Sequence, residues 1–360
     1  MGLVQFVNEN KGMLQDVVGA LFPGVEEAQL QGLGEEKRLW NEYKQGHREG
    51  IKWAQWLMFA GDPEENLKCI RQEVGQARGV CGEVWGSKDI AYKCRTCEND
   101  PTCAICVACF EAGNHVNHDY SMIHTGGGCC DCGDVTAWKE TGFCSNHRGP
   151  GQAPPLPVKL VSTFKPVMDA LLVEWANRLR AAAEVSDKRA KNWSDQLAEE
   201  RVAMQTSLAF VELLLNFCNC SESLLNFIGS LTASEDIGLL DVLLKSECFL
   251  QMKVRNMLHE LLFKLMGDPN FKYQFSKVFI RHYPQFILDS LKEEIEPSRR
   301  GRSRDSLTLS SFSVQIFTVP TLTPQLVVDL RLLDMLLEVL KDVLLSCAGD
   351  DGRLLVCDMY

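Results

Sequence analysis

Residues 94–109 read Cys94-Arg95-Thr96-Cys97-Glu98-Asn99-Asp100-Pro101-Thr102-Cys103-Ala104-Ile105-Cys106-Val107-Ala108-Cys109, five cysteines in sixteen positions. The C-x₂-C spacings Cys94/Cys97, Cys103/Cys106 and Cys106/Cys109 let a short turn present two thiolates to one tetrahedral ion. Working outward, His115/His118 add H-x₂-H, Cys130/Cys132 add C-x-C and Cys144/His147 add C-x₂-H. With Cys81, His124 and Cys129, the 67 residues from Cys81 to His147 hold fourteen residues of ligand type. One such pair is a weak signal; so many together point strongly to several metal ions. Apolar periodicity disappears in this stretch and Gly and Cys become dense, so its order has to come from metal instead of a hydrophobic core. The predicted fold is a small, irregular, zinc-stabilised domain over residues 79–148, set between mainly α-helical regions.

The flanks read differently. Residues 1–78 form a helical lead-in, clearest where Asp62-Pro63 supply a cap and first helical residue, Glu64 and Glu65 the acidic first turn, and Leu67, Ile70 and Val74 one apolar face. Trp40, Trp53 and Trp56 could line a peptide groove, but aromatic residues in a short helical segment more often pack, and packing is the expectation for the lead-in. After the domain, Arg148-Gly-Pro-Gly-Gln-Ala-Pro-Pro-Leu-Pro157 favours an extended connector over 149–158. An α-helical scaffold follows over 159–347, with helices expected at Pro166–Glu184, Trp193–Cys218, Glu222–Ser230, Ile237–Met266, Tyr273–Glu294 and Pro324–Cys347. The last presents a wide apolar arc, as for a helix packed between neighbours. Residues 297–306, with Arg299, Arg300, Arg302 and Arg304 between serines, read as a flexible basic loop. Residues 348–360 carry no terminating signal, so the chain is expected to be an N-terminal piece of a longer protein.

Composition limits the function classes. At 360 residues, 46% apolar and a net charge of −11, the chain is globular, and its acidity disfavours nucleic acid as the main partner. Charge interrupts the apolar stretches, so no membrane span is expected, and no signal-peptide pattern opens the chain. Cytoplasm or nucleus is the expected location. There, sixteen cysteines imply metal and not disulfides. Cys218, Cys220, Cys248, Cys347 and Cys357, in Leu-rich surroundings, read as apolar fillers.

Spacing does not assign ligands to ions, but the wording of the segment adds a resemblance. Cys81-Gly-Glu-Val-Trp85, Cys94-Arg-Thr-Cys97, Asp100-Pro-Thr-Cys103, Cys109-Phe110, His115, His118, Gly126-Gly-Gly128, Cys130-Asp-Cys-Gly-Asp134, Ala137-Trp138 and Cys144-Ser-Asn-His147 closely resemble the UBR box. That domain recognises substrates in the N-recognin ubiquitin ligases, and this version is most similar to the plant arginine-type members. The resemblance implies one zinc on Cys94, Cys97, His115 and His118, a second on Cys81, Cys106, Cys109 and Cys132, and a third on Cys109, Cys130, Cys144 and His147. Eleven residues, with Cys109 shared, close three four-coordinate sites, which makes the ions structural and leaves no place for a reacting water. Cys103, His124 and Cys129 are then non-ligands.

The resemblance further implies that Asp100, Asp131 and Asp134 bind the N-terminal Arg, Lys or His of another protein, with Trp85, Thr102, Ala104 and Cys129 near its second residue. The charges agree independently. A free N-terminus beginning with Arg carries two cations a few ångströms apart, and three carboxylates pinned beside metal ligands complement them. From Cys81 to His147 nine Asp and Glu face four Lys and Arg, a field that attracts basic N-termini. Gly126–Gly128 lacks the Lys-Ser/Thr of a phosphate loop and is expected to let backbone carbonyls approach the α-ammonium.

The expected function is therefore the recognition half of an E3 ubiquitin ligase in the N-end rule pathway. No catalytic residue, RING cross-brace or HECT-like cysteine is visible in the chain. Transfer from an E2 conjugating enzyme, by a RING region in the family, would come from elsewhere. The alternatives are a zinc-stabilised interaction scaffold without N-terminal specificity, an enzyme using Cys103 or Cys129 with His124 or one zinc as a hydrolytic centre, which full coordination disfavours, or a nucleic-acid binder, which the acidic box disfavours.

Overall fold

The computed structural model of the protein describes residues 5, 9–22, 35–74, 79–149, 153–188, 198–247, 250–295, 306–319 and 321–347. The basic loop 297–306, apart from Ser306, and the stretch 348–360 lie outside them. The lead-in forms α1 (Leu14–Leu21), α2 (Glu35–Phe59) and α3 (Pro63–Val74). Asp62 caps α3 as its sequence suggests, its Oδ1 accepting from the amides of Glu64 (2.8 Å) and Glu65 (3.1 Å).

Residues 84–129 are more regular than expected. They hold a three-stranded antiparallel sheet in the order β2-β1-β3, from β1 (Val84–Cys94), β2 (Ile105–Cys106) and β3 (Tyr120–Cys129), with a one-and-a-half-turn helix α4 (Val107–Ala112) after β2. β1 and β3 pair from Val84↔Cys129 to Cys94↔Tyr120, with an irregularity between Ser87 and Ile90. The buried core of this unit is chiefly ligand-type cysteine, plus Ile105, Ala137 and Trp138.

The remaining helices are α5 (Val158–Lys188), α6 (Ala198–Cys220), α7 (Glu222–Thr232), α8 (Leu239–Ser246), α9 (Met252–Leu265), α10 (Pro269–Ile295), α11 (Ser306–Phe317), α12 (Thr323–Leu330) and α13 (Leu332–Ser346). Several boundaries depart from the expectation, α10 among them, which starts at Pro269 and not at Tyr273. α5 starts eight residues before Pro166, which sits inside the helix; the stretch 237–266 is two helices; and the last predicted helix divides where Arg331 adopts a left-handed backbone (φ 52°). α11 was not expected at all. Nor is α13 packed between neighbours: Leu332 and Val339 are buried, but Leu333, Leu337, Leu340 and Leu345 stay more than half exposed.

One core joins the lead-in to the scaffold. Val18, Phe22, Met58, Phe59 and Leu67 pack with Phe164, Trp175, Phe210 and Phe217, and Phe59 meets Phe164 and Phe217 edge-on at 5.5 and 5.8 Å. Trp53 and Trp56, by contrast, are 62% and 42% exposed, so neither packs as expected; the side chain of Trp40 lies outside the described residues. The stretch Glu199–Cys220 is, among the described residues, the one helical stretch long and apolar enough to cross a membrane, against the expectation of none. It runs through the core, 67% buried there.

The cysteine-rich unit docks on this helical body through its neck and one face. The Gly149 amide donates to Gly79 O at 2.9 Å, clasping entry to exit, and the Gly79 amide donates to Glu222 of α7. On the face, Lys272 near the start of α10 meets Asp134.

Candidate metal centre and acidic pocket

Three groups of side chains converge, each with ligand atoms within 4.8 Å of one another: Cys94, Cys97, His115 and His118; Cys81, Cys106, Cys109 and Cys130; and Cys109, Cys132, Cys144 and His147. All eleven predicted ligands are there, and Cys109 belongs to two groups. Within the groups, sulfur-to-Nδ1 distances run from 3.0 Å (Cys144–His147) to 3.7 Å (Cys97–His115). Bonds of about 2.3 Å to sulfur and 2.0–2.1 Å to nitrogen on a tetrahedral ion require a separation of about 3.5 Å. The donor set and its spacing therefore fit zinc, with all three imidazoles presenting Nδ1.

The grouping corrects one expectation: Cys130 and Cys132 exchange sites. Cys130 joins Cys81 and Cys106, its Sγ accepting from the Cys106 amide at 3.2 Å. Cys132 joins Cys144 and His147, its Sγ accepting from the Cys144 amide at 3.3 Å. The Cys81 amide does bond to Cys132 O, at 2.9 Å, but that contact is between backbones. Their thiols project into different groups.

Local structure holds each ligand. Cys94 ends β1, and its carbonyl accepts from the amides of Cys97 and Glu98, the tight turn that returns Cys97 to the same ion. Cys106 caps α4 by accepting from the Cys109 amide at 3.4 Å. The ring of Phe110 lies flat between Tyr92 (3.9 Å) and His115 (4.7 Å), fixing that imidazole. Gly142 leaves room for Cys97, whose Sγ would lie 2.5 Å from an added Cβ.

Beside the metal groups, Asp100, Asp131 and Asp134 line one pocket with Thr102, Cys103 and Thr136. Asp100 Oδ1 accepts from the Thr102 amide (2.7 Å) and hydroxyl, and Oδ2 from the Cys103 thiol (3.2 Å). Burial opposes ionisation of Asp100, but the Thr102 and Cys103 donors outweigh it and hold its pKa below the usual range. Asp131 Oδ2 accepts from the Ala104 amide at 2.7 Å. Burial, opposed by that amide and aided by the charge of Asp134, pushes Asp131 up to about 7. Asp134 Oδ1 accepts from the Thr136 amide (2.8 Å) and hydroxyl (2.6 Å). Against its burial, Lys272 and these donors keep Asp134 ionised, its pKa lowered.

The far wall of the pocket is not part of the cysteine-rich unit. Lys272 of α10, Val314 and Gln315 of α11, and Thr318 and Val319 just beyond complete it. Sequence reading missed all five, and nothing short of the tertiary fold couples Lys272 to a carboxylate 138 positions away.

The other predicted residues take varied places. Thr102 lines the pocket and fixes Asp100; Ala104 touches Asp131 through its backbone; Trp85 is half-buried against the cysteine core. Gly126–Gly128 is part of β3, opposite Trp85 and Ser87, and is not in the acidic pocket's lining. Gly127 and Gly128 have φ of 111° and 120°, with no close atom where a side chain would stand. Backbone conformation, not close approach, therefore requires glycine there. The supposed nucleophiles are not poised. The Cys103 thiol is raised by burial and by Asp131, and burial pushes half-buried Cys129 up to about 12. His124 is exposed and meets Lys88 O at 3.3 Å.

The family pattern of the zinc finger in N-recognin (UBR box) matches residues 80–147. These residues are a UBR box. Over 359 residues, 98% of the chain, the sequence is 45% identical to the E3 ubiquitin-protein ligase PRT6 of Arabidopsis thaliana. It is 25% identical to the E3 ubiquitin-protein ligase UBR1 of Homo sapiens over 386 residues, and 38% identical to the E3 ubiquitin-protein ligase Ubr3 of Drosophila melanogaster over 136 residues, 37% of the chain. The chain spans only 18% of the length of PRT6 and 21% of that of UBR1. The similarity to PRT6 thus runs through the helical scaffold as well as the UBR box.

Proposed function

We propose that this chain is the substrate-recognition part of an N-recognin E3 ligase of the N-end rule pathway, acting in cytoplasm or nucleus on proteins that begin with Arg, Lys or His. The observation that carries the reading is that Asp100, Asp131 and Asp134, from two separate loops, line one pocket of the UBR box. A basic first residue supplies an α-ammonium and a second cation, and no other N-terminus supplies both. Three zinc ions, each closed by four ligands, hold the two loops together and are structural. Ubiquitin transfer from an E2 enzyme, through a RING region, is assigned to the part of the longer relatives that this chain does not span.

Three or four charge-assisted hydrogen bonds at roughly 1.5–3 kcal/mol each, less the cost of ordering a peptide, correspond to about micromolar affinity. Calorimetry of the zinc-loaded chain tests this with peptides that differ only in the first residue. Arg-, Lys- and His-peptides bind; Ala-, Phe- and N-acetyl-Arg-peptides do not. Equal binding of the acetylated peptide overturns the reading, because the α-ammonium would then contribute nothing.

A further inference from the structure

The recognition pocket already contains a basic side chain. Lys272 reaches from the first turn of α10 to place Nζ 3.1 Å from Asp134 Oδ2, with only 9% of its side chain exposed. Its ammonium is the same chemical group that the pocket would read at an incoming N-terminus. It comes from the helical body, whose core is separate from that of the UBR box.

We propose that Lys272 is a tethered competitor: it occupies Asp134 until a cation of the bound N-terminus replaces it, and so sets the affinity threshold for recognition. The inference rests on the proposed function of this pocket and adds a specificity-determining residue to it.

Three features make exchange chemically reasonable. An ammonium has three donors, yet Asp134 is the one hydrogen-bond partner of Lys272 Nζ among the described residues. Released to solvent on its four-carbon stem, the ammonium is hydrated through its three donors, which offsets the loss of its contact with Asp134. Asp134, for its part, cannot be left alone. A buried carboxylate that loses its paired cation, here Lys272 among the described residues, is strongly disfavoured, so whatever displaces Lys272 must itself be positive.

That requirement sorts ligands. An N-terminus with only its α-ammonium can exchange with Lys272 but brings nothing further to Asp100 and Asp131. A first residue of Arg, Lys or protonated His brings a second cation, and the exchange becomes favourable. Lys272 thus holds the pocket closed to ordinary N-termini without any moving lid.

The test compares the wild-type chain with Lys272→Met, both zinc-loaded with equal metal content, by calorimetry against Arg-, Ala- and N-acetyl-Arg-peptides. Freed of the competitor, the variant binds the Arg-peptide about tenfold tighter or more, and the Ala-peptide becomes measurable. In the wild type, reductive methylation read by mass spectrometry shows Lys272 protected alone and modified faster when the Arg-peptide is bound. That second readout decides the matter if Lys272→Met does not fold. If the wild type prefers Arg- to N-acetyl-Arg-peptide, but the variant binds no tighter and Lys272 stays protected, Lys272 is a strut between the two units. The competitor idea then fails while the function stands. If the wild type shows no such preference, both fall.

Discussion

Cys109→Ser should be far more damaging than Cys94→Ser, although both remove one buried thiol. The Cys109 thiol serves two of the three ligand groups, whereas Cys94 serves one. Each structural zinc contributes on the order of 10–16 kcal/mol of folding free energy. The UBR box has little else: Ile105 and Trp138 are its large fully buried apolar side chains, together about 3–6 kcal/mol at ~1.5–3 kcal/mol each. Metal outweighs burial severalfold, so the number of ions lost decides the outcome. Elemental analysis should give three zinc ions per chain for the wild type, two for Cys94→Ser and one for Cys109→Ser. The far-UV helical signal should persist in both variants, since the helices have their own core. Near-UV dichroism from Trp138, whose ring lies 6.3 Å from that of His115 in the Cys94 group, should change in Cys94→Ser as well, so zinc content is the readout that separates the two variants. Equal zinc loss in the two variants would refute the shared thiol.

The exchange of Cys130 and Cys132 is checked by paired substitutions: Cys81→Ser with Cys130→Ser strikes one group and should cost one zinc, while Cys81→Ser with Cys132→Ser strikes two and should cost two. Arg-peptide affinity should rise as pH climbs through about 7, because Asp131 is neutral below that value and cannot pair with a cation until it ionises; Asp131→Asn should flatten this profile and weaken binding about tenfold or more. His-peptides should behave oppositely at higher pH, losing affinity above about 6.5 as the imidazolium deprotonates, and calorimetry across pH 5.5–8 (roughly, the range that spans both values) reads both slopes. Gly133→Ala should lower the melting temperature of the zinc-loaded chain: Gly133 has φ 92°, and an added Cβ would lie 2.0 Å from Gly79 O at the neck. Strain alone costs on the order of 1–3 kcal/mol, so an unchanged melting temperature would contradict this geometry.

How much of this is written in the sequence depends on how local the determinant is. The ligand-type pairs are legible because metal chelation by turns demands spacings of two or three residues, and the Asp62 cap is legible because it too is local; the choice of eleven ligands from fourteen candidates, with Cys81 in and Cys103 out, comes from the family resemblance. The partition of Cys130 and Cys132 is not, since it depends on which way each thiol projects as the chain leaves β3, and family likeness alone pairs Cys81 with its backbone neighbour. β1 and β3 escape notice because Lys88-Asp89 and the run Gly126–Gly128 spoil the alternation that marks a strand. The break at Arg331 depends on a left-handed residue of a type that seldom adopts it. Lys272 is the extreme case, an unremarkable lysine on an amphipathic helix until the fold sets it against Asp134.

Charge explains why a metal cluster suits this pocket better than an ordinary core. Three carboxylates held close together repel one another, and a unit resting on a few kcal/mol of apolar burial would relax by spreading them apart. Ligand groups worth about 10 kcal/mol or more each do not yield. The groups contain eight cysteines, Cys81, Cys94, Cys97, Cys106, Cys109, Cys130, Cys132 and Cys144, with three histidines. Eight thiolates against three divalent ions would leave two negative charges on the metal core, so a zinc-loaded core would add to the acidic field and not cancel it. The cation of Lys272 offsets one of the resulting charges while the pocket is empty. The proposed ligand, a basic N-terminus with one positive charge more than that lysine, would bring the pocket closer to neutrality than Lys272 alone can.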